Sequence, residues 1–131
     1  MDTPREEGKI IIGKAEVHPK GWGEEVWLVN TDKYCGKLLR FTKGGAAFSD
    51  HYHIEKDETW YVLEGSFEFR YYDLSNADRI IKKLGVGDVV RVTPNTPHQL
   101  VALEPGVIVE VSTHHEDSDS YRIGKGDSQK K

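Results

Sequence analysis

The chain has 131 residues, of which 18 are basic and 22 acidic, and its formal net charge is -4 at pH 7. This length suits one domain with one core, and the scattered basic residues exclude a strongly basic nucleic-acid binder. The single cysteine, Cys35, excludes an intrachain disulfide and fits a reducing compartment. The N-terminal residues are polar, and no apolar run approaches the roughly 18 residues of a membrane helix. We therefore expect a cytoplasmic protein that binds neither nucleic acid nor membrane.

Short β-type runs separated by glycine, proline and asparagine follow one another along most of the chain. The predicted strands are 10–12, 25–30, 35–42, 46–53, 58–64, 66–72, 80–84, 89–92, 98–102 and 107–112. No segment shows a sustained 3.6-residue period, so the sequence predicts an all-β sandwich or barrel. Residues 1–9 are interpreted as a flexible lead-in, 10–116 as the barrel and 117–131 as a polar tail.

Three histidines and one glutamate form the most distinctive group in the sequence. Side chains alternate between the two faces of a strand, so His51 and His53 share one face. Glu58 and His98 begin strands whose same-face neighbours are apolar, so one interior can hold all four side chains. Imidazole nitrogen and carboxylate oxygen suit one divalent ion of Zn, Mn, Fe, Co or Ni. Surface or hydrogen-bonded strand histidines are the alternative, but regularly spaced glycines and a distant third histidine argue against them.

The spacing around these residues resembles the two signature motifs of the cupin superfamily. The first motif comprises Gly45, His51, His53, Glu58 and Gly65, and the second comprises Gly87, Asp88 and His98. Thr93 and Asn95 stand where the family usually has proline and glycine, and Asn tolerates a left-handed backbone, so we expect the turn to be kept. The resemblance implies a single-domain cupin β-barrel, a jelly-roll-like double-stranded β-helix, with the metal in its mouth. It also implies a homodimer.

A narrower resemblance, to cupin-type mannose-6-phosphate isomerases, covers nearly the whole chain. The matching stretches are KGWGEE (20–25), YCGKLL (34–39), SDHYH (49–53), ETW (58–60), EVS (110–112) and EDSDSYR (116–122). In bifunctional relatives this cupin follows a mannose-1-phosphate guanylyltransferase domain. The resemblance implies an aldose–ketose isomerase acting on a small-molecule sugar or sugar phosphate. Because the stretch after Arg122 lacks the family's further Arg motif, an isomerase of unphosphorylated sugars, resembling cupin lyxose or mannose isomerases, is equally open.

Isomerisation of an aldose needs a base for the proton next to the carbonyl and a Lewis acid for the enediolate. Glu110 interrupts an apolar strand and is the first candidate base, with a solvent-facing carboxylate as its alternative. His114 follows the same strand and is a second candidate base or substrate contact. His115 points the opposite way, so at most one of the two lines the barrel mouth. A surface loop position is the alternative for both.

Three further residues are candidate substrate contacts. Arg122 offers paired donors for a phosphate or a sugar oxygen, and its alternative is an ion pair with the acidic run 116–119. Lys43 can meet an anionic substrate or remain a solvated loop lysine. Tyr52 can stack on a sugar ring or pack in the core.

Two other classes of function fit the same residues. The histidine and glutamate set also suits Fe(II) or Mn(II), as in a cupin dioxygenase acting on a small organic substrate. A non-catalytic cupin that binds metal and sugar is the third reading.

Overall fold

The computed structural model describes residues 6–129. In that part of the chain the strands are β1 (Glu16–Lys20), β2 (Gly23–Asn30), β3 (Cys35–Phe41), β4 (Asp50–Tyr52), β5 (Glu58–Glu64), β6 (Phe67–Tyr72), β7 (Arg79–Leu84), β8 (Val89–Val92), β9 (His98–Ala102), β10 (Gly106–Ser112) and β11 (Tyr121–Gly124). Two single-turn 3-10 helices, Asp117–Asp119 and Asp127–Gln129, flank β11. None of the helices in residues 6–129 is long and apolar enough to cross a membrane. The predicted all-β class is confirmed.

Two antiparallel sheets enclose the core. The six-stranded sheet has the order β1-β2-β3-β10-β5-β8, and the five-stranded sheet has the order β11-β4-β9-β6-β7. Aromatic rings join the sheets: Phe41 lies 5.2 Å from Phe67, and Trp60 lies 5.5 Å from Phe69, between ring centroids. The inward faces therefore pack on each other as in a barrel of the jelly-roll type.

The interior changes from apolar to polar along the strands. Its inward residues run Phe41, Leu39, Lys37 in β3; Ile108, Glu110 in β10; Val62, Trp60, Glu58 in β5; and Leu100, His98 in β9. Lys37, Glu110 and Trp60 are cross-strand neighbours in register. One end of the barrel is thus a hydrophobic core, and the other end carries buried ionisable groups.

Several strand predictions differ from the structure. The predicted strand 46–53 is reduced to β4, with Ala47 making only an isolated bridge to Val101. Residues 10–12 lie outside the strands, and Ile10 is 88% exposed. The sequence missed β1 and β11 because both are mostly exposed edge strands that bury no face. Because β11 pairs with β4, part of the predicted polar tail belongs to the five-stranded sheet. Residues 1–5 of the predicted lead-in and 130–131 of the tail lie outside the described residues.

The turn before β9 keeps the predicted left-handed backbone. Asn95 has a φ of 66°, and its N–H donates to the His53 carbonyl at 2.6 Å. Position 65 also requires glycine, because its φ is 84° and a Cβ would lie 2.8 Å from the Pro105 carbonyl oxygen. The asparagine turn ties the strand that carries His98 to the end of the segment that carries His53.

Candidate metal centre

Three histidines converge at the polar end of the barrel. His51 in β4 and His98 in β9 are direct cross-strand partners, with ring centroids 4.6 Å apart. His53 follows β4, and its ring centroid lies 4.9 Å from that of His51 and 5.8 Å from that of His98. One ring nitrogen from each residue lies within 4.8 Å of the others. That separation suits three ligands of one metal ion.

Backbone carbonyls fix the tautomer of each imidazole. Nδ1 of His51 contacts the Ser49 carbonyl at 2.6 Å, Nδ1 of His53 contacts the Asp119 carbonyl at 2.9 Å, and Nδ1 of His98 contacts the Thr96 carbonyl at 2.8 Å. A carbonyl oxygen only accepts, so each Nδ1 carries the hydrogen and each neutral ring presents a lone pair at Nε2. Nε2 of His98 is buried without a hydrogen-bond partner. Such a buried lone pair fits a metal ligand.

Glu58 brings a fourth donor to the same point. Its Oε1 accepts a hydrogen bond from Trp60 Nε1 at 2.8 Å, which fixes the carboxylate. Its Oε2 lies 3.2 Å from His53 Nε2 and 3.8 Å from His98 Nε2. With both Nδ1 atoms protonated, these contacts set lone pair against lone pair, which is unfavourable unless a cation lies between them. The donor set of three imidazoles and one carboxylate therefore fits a divalent metal.

Burial keeps His51 and His98 neutral. It lowers the pKa of His51 to about 3, with further lowering from the neighbouring His98 and His53. Burial likewise lowers the pKa of His98. For Glu58, burial opposes ionisation, but the nearby Lys56 ammonium holds its pKa below the ordinary range. His51, His98 and Glu58 are therefore in the protonation state that binds metal at neutral pH.

A cavity of about 340 Å³ opens beside the histidines and contains a second ionic cluster. Glu110 is 3% exposed, so it faces the interior and not solvent. Its Oε2 lies 2.8 Å from Lys56 Nζ and accepts from Ser112 Oγ at 3.0 Å. Burial disfavours the Lys56 ammonium, but Glu110 and Glu58 outweigh it and raise the lysine's pKa. A charged Lys56 thus interacts electrostatically with both Glu110 and Glu58.

Sequence reasoning missed Lys37 and Lys56 of this cavity, whereas it had named His115 as the alternative to His114 for the barrel mouth. Lys37 is 1% exposed, pairs with Glu25 at 3.2 Å, and lies over the Trp27 ring at 4.4 Å from the centroid. His115 also lines the cavity, with Nδ1 3.3 Å from Lys56 Nζ. The alternation of inward and outward side chains along β3 could have predicted that Lys37 is buried, because Lys37 occupies an inward position between Cys35 and Leu39. No such alternation applies to Lys56, since it lies in a loop.

The remaining predicted site residues divide between the cavity and other places. Arg122 lines the cavity and pairs in register with His51, and among residues 6–129 no carboxylate lies within ion-pair distance of it. His114 lies outside, because its Nδ1 is held by the Thr31 carbonyl at 2.8 Å, and its neighbour His115 takes the inward direction. Tyr52 points away from the His51 face and stacks on Tyr121, with centroids 5.3 Å apart.

Lys43 is exposed and far from the histidines along the barrel. It precedes the turn in which the Gly45 N–H donates to the Ala102 carbonyl, at the end of β9 remote from His98. Lys43 therefore lies near the hydrophobic end of the barrel, outside the cavity.

Comparison with known proteins gives one family match. A family model described as Cupin domain matches residues 37–112, more than half of the chain. The match includes all four candidate metal ligands and Glu110. No curated protein sequence matches the chain.

Solved structures share the fold at low identity. Oxalate decarboxylase from Bacillus subtilis at pH 4.6 has a TM-score of 0.73 and 19% identity, with 83% of this chain and 30% of that chain covered. The capsular polysaccharide assembling protein CapF from Staphylococcus aureus has a TM-score of 0.75 and 17% identity, with 86% and 32% covered. A further B. subtilis oxalate decarboxylase structure concerns its Mn(II) centres, at a TM-score of 0.70 and 17% identity, with 83% and 30% covered. The chain spans about a third of the length of these proteins.

Proposed function

The chain belongs to the cupin domain family, and we propose that it is a metal-dependent enzyme that interconverts the aldose and ketose forms of a small sugar or sugar phosphate. The observation that carries this proposal is the Lys56–Glu110 pair, 2.8 Å apart, in the cavity that His51, His53 and Glu58 also line. An isomerase needs a proton acceptor and an electrophilic centre within reach of one small substrate. The cavity holds residues of both kinds.

In this proposal His51, His53, His98 and Glu58 hold one divalent metal ion. The three imidazoles present nitrogens within 4.8 Å of one another, Glu58 Oε2 lies 3.2 Å from His53 Nε2, and such a set accepts Zn, Mn, Fe, Co or Ni. A bound metal would act as a Lewis acid toward neighbouring carbonyl and hydroxyl oxygens of the substrate. Trp60 keeps the Glu58 carboxylate in its ligand orientation through the hydrogen bond to Oε1.

Glu110 is the proposed base. It takes the proton from the carbon next to the carbonyl and returns it to the neighbouring carbon. Lys56 and Ser112 both donate to Glu110 Oε2, so the carboxylate is fixed while the other oxygen remains for the substrate. Fixing a base in this way lowers the orientational cost of proton transfer.

Cavity size and lining are compatible with a sugar. A volume of about 340 Å³ lies at the small end of the range for small-molecule sites. Lysines, glutamates and histidines around it offer donors and acceptors to a chain of hydroxyl groups. Arg122, which has no ion-pair partner in residues 6–129, supports a further contact with a sugar oxygen or a phosphate at the entrance.

The decisive experiment is solvent-deuterium incorporation followed by NMR. Metal-loaded protein is incubated in D2O with mannose, fructose, lyxose and the 6-phosphates of the hexoses. Deuterium at C1 or C2 together with the partner sugar is the expected result, and the panel names the substrate. Absence of exchange across the panel with metal bound would contradict the isomerase. Oxygen uptake by the iron-loaded protein would then favour the dioxygenase, and ligand binding without turnover would favour a binding module.

We also propose that two copies of the chain associate through the outer face of the six-stranded sheet. One row of residues in register crosses all six strands on that face: Val17, Val26, Leu38, Val109, Tyr61 and Val89. Three of them are more than 40% exposed, at 56% for Val17, 42% for Tyr61 and 64% for Val89. When a two-fold axis passes through the centre of this row, the rows of two copies face each other and every contact is between apolar side chains. This supports a second copy of the chain as the partner.

A further inference from the structure

A single residue of the C-terminal segment contacts four consecutive residues of the site. The Asp119 carboxylate accepts hydrogen bonds from three successive backbone amides, those of Ile54 (2.8 Å), Glu55 (3.1 Å) and Lys56 (3.0 Å). The backbone carbonyl of Asp119 accepts the Nδ1 hydrogen of His53 at 2.9 Å. The side-chain carboxylate and the backbone carbonyl of Asp119 thus both accept hydrogen bonds from the loop between β4 and β5.

This loop joins the two chemical parts of the cavity. It begins at His53, whose Nε2 faces Glu58, and ends at Lys56, whose ammonium faces Glu110. Its residues lie outside the strands, so no sheet hydrogen bonds fix their backbone. The Asp119 carboxylate accepts hydrogen bonds from three backbone amides, and in a sheet a neighbouring strand would provide such bonds.

We infer that Asp119 is a positioning residue that sets the ring orientation of His53 and the location of Lys56 together. The inference rests on the proposed function in one respect, because it treats His53 as a ligand of the metal. Asp119 itself touches neither substrate nor metal. It acts through the backbone of residues 54–56 and through the Nδ1 contact that keeps the His53 lone pair on Nε2.

The segment that carries Asp119 is itself attached to the barrel on both sides of this residue. The side chain of Asp117 contacts His115 Nε2 at 2.9 Å, and β11 begins two residues after Asp119 and pairs with β4. Arg122 in β11 is the register partner of His51. The C-terminal segment therefore forms a wall of the site, and Asp119 is the point at which this wall fixes the loop.

The test compares Asp119→Ala with Ser118→Ala, a control in the same 3-10 helix whose side chain is exposed. Metal affinity is measured by competition with a chromogenic chelator, using Zn and Mn as probes. Asp119→Ala is expected to weaken metal binding about 10- to 100-fold, the usual effect of removing a group that orients a ligand, and Ser118→Ala is expected to leave it unchanged. Asp119→Asn keeps a carbonyl oxygen for the amides and is expected to fall between the two.

Two readouts on the metal-free protein separate this inference from the metal proposal. Hydrogen exchange of the amides of residues 54–56 is expected to accelerate in Asp119→Ala alone. Imidazole 15N spectra are expected to show a weaker preference of His53 for the Nδ1–H tautomer in that variant, because without the side-chain hydrogen bonds the Asp119 backbone carbonyl is no longer held against Nδ1. Unchanged amide exchange and an unchanged tautomer in folded Asp119→Ala, or in Asp119→Asn if the alanine variant does not fold, would overturn the inference. Failure of the unmodified protein to bind metal would instead contradict the proposed function. Amide exchange and the His53 tautomer, both measured without metal, would then still decide whether Asp119 positions the loop.

Discussion

Lys56 Nζ lies 2.8 Å from Glu110 Oε2, and each of the two side chains is only 4% exposed. Lys56 comes from a loop, and Glu110 comes from the strand that pairs with β3 and β5. Their contact places a full positive and a full negative charge in the barrel interior, next to Glu58. Buried charges of this kind are costly and persist only when they are paired.

Replacement of Lys56 by Met is expected to destabilise the protein by about 3–5 kcal/mol, because Glu110 then remains as a buried, unpaired charge. The free energy of unfolding from urea titration, in the presence of a chelator, measures this effect. The double substitution Lys56→Met with Glu110→Leu is expected to recover most of the loss, since it removes both charges. The free-energy changes of Lys56→Met and Glu110→Leu alone complete the comparison. If these two changes simply add in the double variant, the ion pair contributes no coupling energy and the expectation is wrong.

Glu110→Gln is expected to keep the metal and lose turnover. The amide has the shape of the carboxylate but cannot accept the substrate proton, so the rate should fall about 10²- to 10⁴-fold. Rate and bound metal are measured on the same samples, by deuterium incorporation and by elemental analysis. Arg91→Gln is a suitable control, because the Arg91 side chain pairs with Asp57 at the exposed surface. Turnover in Glu110→Gln close to that of the unmodified protein would remove Glu110 from the mechanism.

Removal of the metal is expected to lower thermal stability. A ligand at 100 times its dissociation constant adds about 2.7 kcal/mol to the free energy of unfolding. Differential scanning calorimetry with Zn or Mn and then with excess chelator measures the change in Tm. His98→Ala should abolish the difference because it removes a ligand, and His114→Ala should retain it because His114 lies outside the cavity. A Tm that is indifferent to metal in the unmodified protein would contradict the proposed centre.

The metal-free protein is expected to lose stability as the pH falls below about 6.5. The fold lowers the pKa of His51 from 6.5 to about 3, chiefly by burial, and shifts His98 in the same direction. In this window the unfolded chain binds protons that the folded protein does not. The stabilising contribution is therefore complete above pH 6.5 and is lost on acidification, at about 1.4 kcal/mol per pH unit for each such histidine.

Urea unfolding in chelator at several pH values between 7.5 and 5 measures this slope. Above pH 5 the decrease in the free energy of unfolding comes mainly from the histidines, because the carboxyl of Glu58 ordinarily titrates near 4.5. His51→Asn should give a shallower slope, because it removes a histidine whose pKa the fold lowers. An equal slope in His51→Asn and the unmodified protein would show that His51 is not held neutral by the fold.

Tyr61→Lys is expected to shift the protein from dimer to monomer, because it places a charge within the apolar row. Ile81→Lys is the matched control: Ile81 is 55% exposed but lies in β7 of the other sheet. Light scattering after size-exclusion chromatography measures the mass, for which one chain is 14.9 kDa. A monomeric unmodified protein, or an equal effect of the two variants, would contradict this interface.

The candidate metal ligands were predictable because each of them depends on local pattern. Alternation along a strand places His51 on one face, and Asn95 adopts the left-handed turn expected for it, with a φ of 66°. Glu110 was recognisable as a charge inside an apolar strand, and the structure confirms that it is buried. The edge strands β1 and β11 were not predictable, since neither buries a face and each is defined only by its partner.

The sequence by itself determined the all-β class, the alternation of inward apolar residues and the convergence of the three histidines, because these follow from the two-residue period of strands and the spacing of turns. Only the tertiary structure decided which charges meet in the cavity. Lys56 reaches Glu110 across 54 positions of the chain, and Asp119 reaches the loop that carries Lys56 from a segment that the sequence describes only as polar. Such contacts depend on how distant segments pack, and no local period records them.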